Sequence, residues 1–234
     1  MRSFLALGFA LCTALRLAAQ DVGARLGRVP PDAQRAVQEI TADAAAHGLP
    51  TEPLVQKAIE GGAKRVPAER LIAAVRALAA RLAGAADAVR AGGLESPKAD
   101  VVEGGADGLS AGLSAGHVSA LVRASRAAYD PALVLRVAAT LAALGVPPKQ
   151  AVQLVEGMIK DGRSPSDLLS LPGEVQAGVA DGATPAEAAE RVNHGGGNGV
   201  GNAGGNGPSH GQPPPDWVPP GQGKRHKPSN PHKP

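Results

Sequence analysis

Apolar residues recur with helical spacing from Pro30 to about Val192, and most runs have a proline or hydroxyl in front and a glycine behind. Pro30-Pro31-Asp32 opens a first predicted helix, with Val37, Ile40 and Ala44 on one side and Gly48 closing it. Thr51 caps a second, whose apolar face is Leu54, Val55, Ala58 and Ile59 and whose end is expected near Gly61-Gly62. The third has the clearest pattern. Leu71, Ile72, Val75, Leu78, Ala79 and Leu82 fall on one face, while Arg70, Arg76 and Arg81 fall off it. Gly92-Gly93 and Pro97 end that stretch.

Beyond it, Val118, Leu121 and Val122 mark one helix. Asp130-Pro131 starts another, with Leu133, Val134, Val137 and Leu141, closed by Gly145. Pro147-Pro148 opens the next, with Val152, Val155 and Ile159, closed by Gly162. Ser164 with Asp167, and Thr184 with Glu187, have the spacing of capping boxes, and Gly182 closes the segment between them. Five prolines (Pro50, Pro67, Pro147, Pro165 and Pro185) each stand at the start of an apolar run, as suits a residue with a helical φ and no N–H.

Residues 99–116 carry Gly104, Gly108, Gly112 and Gly116 at every fourth position beside Val102, Leu109 and Leu113. This is read as a helix with a glycine stripe for close approach, against a flexible Gly/Ser segment. Each interior glycine costs about 1 kcal/mol relative to alanine, so packing has to compensate. The fold expected is all-α: an array or bundle of about eight short helices in helix-turn-helix pairs, with no strand. Residues 48–71 also resemble residues 145–169, given one inserted residue. Both pair Val with Gln (Val55-Gln56, Val152-Gln153) and Glu with Gly (Glu60-Gly61, Glu156-Gly157) before a second proline start (Pro67, Pro165).

The ends change the picture more than the overall composition does. Residues 1–19 read as a cleaved secretory signal, with Arg2 before an apolar stretch from Phe4 to Leu15 and small residues before Gln20. Twelve apolar residues interrupted by Arg16 are too few for the roughly 20 of a membrane span. Export, to a periplasmic or extracellular location, is therefore expected, with no transmembrane segment after cleavage. Cys12 is the only cysteine, so the exported chain would hold its fold by core burial alone. Residues 20–192 form the expected helical domain, with a net charge of −2. Residues 193–234 carry +3 and are rich in Gly, Pro and Asn without apolar periodicity, so they are expected to be disordered.

Charge in the ends, rather than a basic face on the body, accounts for the high isoelectric point. The exported chain would retain only Tyr129 and Trp217 as aromatics, which leaves no stacking platform. A nucleic-acid partner is not expected.

Candidate chemistry is sparse. Gly199 to Gly204 match a dinucleotide-binding pattern by letter but lie in a Gly/Asn run without strand or helix. His194, His210, His226 and His232 are too widely spaced to chelate locally, so no metal is assigned. His47 stands at a helix end. His117 lies near Ser114, Ser119 and Asp107, a grouping considered as a hydrolytic triad and set aside because no nucleophile elbow accompanies it. No catalytic residue and no cofactor are assigned.

In the tail, Pro213 to Pro220 favour polyproline II around Trp217. The cluster Lys224, Arg225, His226 and Lys227 follows. Trp217, Lys224, Arg225 and Lys227 are the candidate partner-binding residues, against a plain linker; the partner would be an unknown protein or an anionic envelope surface.

Gly48-Leu49-Pro50 through Leu71, with Lys57-Ala58-Ile59-Glu60-Gly61 and Val66-Pro67-Ala68-Glu69-Arg70-Leu71, resembles a class of uncharacterised exported bacterial Ala-rich helical proteins. The resemblance covers about residues 30–190 and implies a signal peptide, a helical body and a variable Gly/Pro-rich C-terminus. It implies no activity. The function expected is a non-enzymatic helical-repeat module for protein binding or scaffolding in the bacterial envelope. The alternative is an enzyme or accessory factor of cell-wall metabolism, with Glu60 and Glu156 as its best carboxylates.

Overall fold

A computed structural model describes residues 25–125 and 128–194. Its helices are α1 (Pro31–Ala46), α2 (Glu52–Ala63), α3 (Ala68–Ala91), α4 (Ala99–Ser110), α5 (Ala115–Ser125), α6 (Pro131–Ala143), α7 (Pro148–Lys160), α8 (Pro165–Ala180) and α9 (Pro185–His194). The described residues are all-α and contain no strand, as the periodicity predicts. The last helix ends at His194, two residues past the expected boundary. Residues 1–19, the expected signal, lie outside the described residues, and so does the expected tail from Gly195.

Prolines do begin these helices, at slightly different stations. Pro31, Pro131, Pro148, Pro165 and Pro185 are first residues, whereas Pro67 and Pro147 are N-caps. Pro50 stands one residue before the N-cap Thr51 of α2, and Pro53 takes the first turn instead. Both capping boxes form. The Ser164 hydroxyl accepts from the Asp167 N–H at 3.2 Å while the Asp167 carboxylate accepts from the Ser164 N–H at 3.0 Å. Thr184 and Glu187 make the same exchange at 3.3 and 2.9 Å.

Among the described residues, seven helices end in one motif, in which a residue of positive φ turns the chain and two N–H groups return to the last carbonyls. After α6, for example, the Gly145 N–H donates to the Ala142 carbonyl and the Val146 N–H to the Leu141 carbonyl, at 3.0 and 3.1 Å. Six of the turning residues are glycine and the seventh is Arg65, at φ 55°. In several linkers the residue after the turn is buried and stands directly before the next helix's cap. Leu113, Val146 and Ala183 do this. One side chain then closes the helix behind it and staples the helix ahead to its first turn.

Helix α2 ends at Ala63, next to the expected Gly61-Gly62, and the turning residue is Arg65 rather than a glycine. The role of the two glycines is close approach. A Cβ at Gly61 would collide with Leu71 Cδ1 of α3, and one at Gly62 would lie 2.7 Å from the Arg28 carbonyl oxygen. The chain ahead of α1, with Leu26 and Val29 fully buried, thus lies directly on α2.

Two apolar cores result. One gathers Leu26, from ahead of α1, with Val37, Leu54, Val55, Leu71, Val75 and Leu82 of α1–α3; the other gathers side chains of α5–α9 such as Leu121, Leu135, Leu141, Leu154 and Leu168. Burying each such side chain contributes about 1.5–3 kcal/mol. Helices α3 and α4 belong to both: Leu82 and Val102 join the first, and Val89 and Val101 the second.

The glycine-rich α4 is helical because its neighbours use the space the glycines leave. Gly104 faces α6, where a Cβ would lie 3.3 Å from the Ala132 carbonyl oxygen. Gly105 faces α3, with Ala85 Cβ at 3.2 Å. The four-residue stripe is corrected in part: Gly112 is the turning residue after α4, and Gly116 belongs to α5.

Among the described residues, every substantial helix–helix contact joins helices one or two places apart in the chain. That is the packing of an open array, in which each unit meets only its neighbours. The duplication extends further than the sequence comparison suggests, and without a gap. At an offset of 97 residues, α1–α3 map onto α6–α8, the caps Pro67 and Ser164 coincide, and Val37, Val55 and Leu71 fall on Val134, Val152 and Leu168, all buried. The second prolines are therefore not equivalent. Packing of α1 on α3 is repeated as α6 on α8. The contact of α2 on α3 has no strong counterpart, because Gly61, which receives Leu71, is matched by Met158; α7 instead packs on α5, α6 and α9.

Candidate functional site

The seam between α1 and α3 opens into a groove of about 630 Å³. Its floor is small and apolar. Ala44 is buried there, and Ile40, Leu49, Ala79 and Ala83 are half-buried. The floor exists because α3 carries alanines beside its core stripe, so nothing projects from the flank next to Val75 and Leu82. Charge rims the groove by side: Glu39 and Asp43 from α1 with His47 capping its end, and Arg76, Asp87 and Arg90 from α3.

Three of these rim groups are spoken for locally. The Asp87 carboxylate accepts from Arg90 at 2.8 Å, and His47 Nδ1 lies 2.8 Å from the Asp43 carbonyl oxygen at the end of α1. The α1 side thus presents carboxylates, and the α3 side presents Arg76 as a guanidinium with no acid of its own helix drawn onto it.

Sequence reading placed Ile40 and Ala44 on an apolar face but did not single out this groove. The available signal was the triplet Ala79, Ala80 and Ala83 with Arg76 and Arg90 at helical spacing on the same flank.

Smaller clefts lie elsewhere on the described residues. One, of about 500 Å³, lies over α4 and α6 and holds Asp107 and Arg136. Although exposed by area, the Asp107 carboxyl is pushed up by desolvation over that seam, with Arg136 pulling the other way. Another, of about 310 Å³, lies between α7 and α9 and is lined by Gln150, Gln153, Glu190, Asn193 and His194.

The grouping around His117 has a structural role. Ser114 Oγ accepts from the His117 N–H at 3.1 Å, and His117 Nδ1 accepts from the Ser114 N–H at 3.3 Å. This is a capping box with histidine in the place that Asp167 and Glu187 take elsewhere. Ser119 is buried in α5, and Asp107 belongs to the α4–α6 cleft with Arg136. Glu60 is exposed and bound by Lys57 and Lys64, which hold its carboxyl below the usual range. Glu156 is half-buried on α7, in the other half of the array.

Among the described residues no group of three or more His, Cys, Asp or Glu is placed to hold a metal ion. No described helix is long and apolar enough to cross a membrane. Trp217, Lys224, Arg225 and Lys227 lie outside the described residues, as does the stretch Gly199–Gly204. No protein-family model matches this sequence, and neither a curated protein nor a solved structure matches it.

Proposed function

We propose that the chain is an exported, non-enzymatic helical-repeat protein of the bacterial envelope whose body docks a protein partner. The observation that carries this reading is the alanine-floored groove of α1 and α3, apolar along its bed and charged along both rims. That combination suits a protein surface better than a small metabolite, because the groove is open and its polar groups do not converge on a point. Export rests on residues 1–19, and the tail residues Trp217, Lys224, Arg225 and Lys227 would add contact with the partner or with an anionic surface.

The test is capture from a cross-linked envelope extract with the full chain and with Ala80→Glu, which places a charge on the exposed side of the groove. Partners retained by the full chain and lost from the variant are expected. A background-level yield with both, or equal retention by both, overturns the reading.

A further inference from the structure

We infer that the α1–α3 groove is self-complementary and that its partner is a second copy of this chain, joined by a two-fold axis running along the groove. The inference rests on the reading of that groove as a protein-docking face and names its occupant.

A two-fold axis along the seam lays α1 of each copy over α3 of the other. The carboxylates of Glu39 and Asp43 then face the α3 rim with its unclaimed Arg76 guanidinium twice over, once on each side of the axis. An axis across the seam would set α1 on α1 and bring like charges together, so the charge layout selects one of the two arrangements. The floor suits such a contact. Ala79, Ala80 and Ala83 leave no side chain beyond Cβ, so two such surfaces approach closely, as α4 does on α3 through Gly105. Among the described residues, α1 begins the array and no further helix lines the groove.

The experiment is sedimentation equilibrium on the full chain and on two charge-reversed forms. One carries Glu39→Lys and Asp43→Lys, and the other Arg76→Glu and Arg90→Glu. All four positions are exposed, so far-UV circular dichroism is expected to match the parent. The parent is expected to dimerise reversibly. Each reversed form alone is expected to dimerise at least tenfold more weakly, because like charges then meet across the axis. An equimolar mixture of the two is expected to recover association to within about threefold of the parent, because opposite charges meet again.

A parent that stays monomeric at high micromolar concentration overturns the inference and leaves the partner-docking reading to its own capture test. A parent dimer unaffected by either reversal, or a mixture that does not recover, also overturns it. Should a reversed form misfold, mild oxidation of an equimolar mixture of Glu39→Cys and Arg76→Cys chains, each with Cys12→Ser, is decisive, because the axis sets α1 of one copy over α3 of the other. A disulfide-linked dimer supports the inference, and its absence, with Gln153→Cys on α7 as the control, opposes it.

Discussion

Replacing Gly62 by alanine and Gly173 by alanine are the same chemical change, inside α2 and inside α8, and the structure assigns them opposite signs. In both helices alanine recovers the propensity that glycine lacks, about 1 kcal/mol. At Gly173 nothing lies within 4 Å of the new Cβ, so that gain stands alone and Gly173→Ala stabilises the fold by about 0.5–1 kcal/mol. At Gly62 the new Cβ would lie 2.7 Å from the Arg28 carbonyl oxygen and 3.1 Å from Val29 Cα. These are backbone atoms, unable to swing aside as a side-chain end would. Relief requires α2 to move off the segment that seats Leu26 and Val29 in the first core. Overpacking of this kind costs about 1–3 kcal/mol, and here it displaces a strand of main chain, which places the cost near the top of that range. Gly62→Ala is thus expected to destabilise by about 1–2 kcal/mol net. Urea unfolding followed at 222 nm reads both midpoints, with an unchanged slope showing that stability alone has shifted. A Gly62→Ala midpoint at or above that of Gly173→Ala would refute the assignment of Gly62 to close approach.

Three further outcomes follow from particular contacts. Arg65→Gly is expected to raise stability by up to about 1 kcal/mol in the same assay, because Arg65 alone fills a left-handed turn position that glycine fills after six other helices. Tyr129→Phe removes the hydroxyl that donates to the Arg163 carbonyl and ties the start of α6 to the α7–α8 turn; a loss of about 1 kcal/mol is expected by thermal unfolding. Glu52, gripped by both Arg25 nitrogens and by Gln56, is held down to about 2, so it contributes stability above the ordinary carboxylate range that is lost as pH falls from about 4.5 to 2. Because its side chain is 58 % exposed, solvent screening limits that contribution to about 0.5–1 kcal/mol, and Glu52→Gln is expected to flatten the acid limb of the stability–pH curve by that amount.

How much of this was legible along the chain depends on how local each cause is. The capping boxes at Ser164 and Thr184, the proline starts and most glycine stops are decided within five residues, and the sequence carries them openly. Gly61 and Gly62 do stand beside the end of α2, but their close-approach role is not legible, because it is set by Leu71 and Arg28, residues that meet them only after folding. The same limit split the glycines of residues 99–116, where one spacing serves a helix–helix contact at Gly104, a turn at Gly112 and a second helix at Gly116. His117 and Ser114 are neighbours already in the sequence, but their exchange is not legible there, because a capping box with histidine lies outside the usual Ser/Thr-to-Glu pattern. The α1–α3 groove is the least legible feature, since an absence of side-chain bulk leaves only alanines to read. The repeat at 97 residues was visible in part; its exact register needed the two caps, Pro67 and Ser164, to be recognised as the same station.

The neighbour-only packing of the helices has a kinetic consequence. No substantial contact among the described residues waits on the meeting of distant helices, so the contact order is low and folding is expected to start within any adjacent trio and spread outward. Unfolding then runs the other way, from the ends. Amide exchange in α1 and α9 is expected to be governed by local opening, while α3 and α4, each shared by two cores, open only with the whole array. The chain behaves less as a single cooperative block than as a zipper fastened most firmly at its centre.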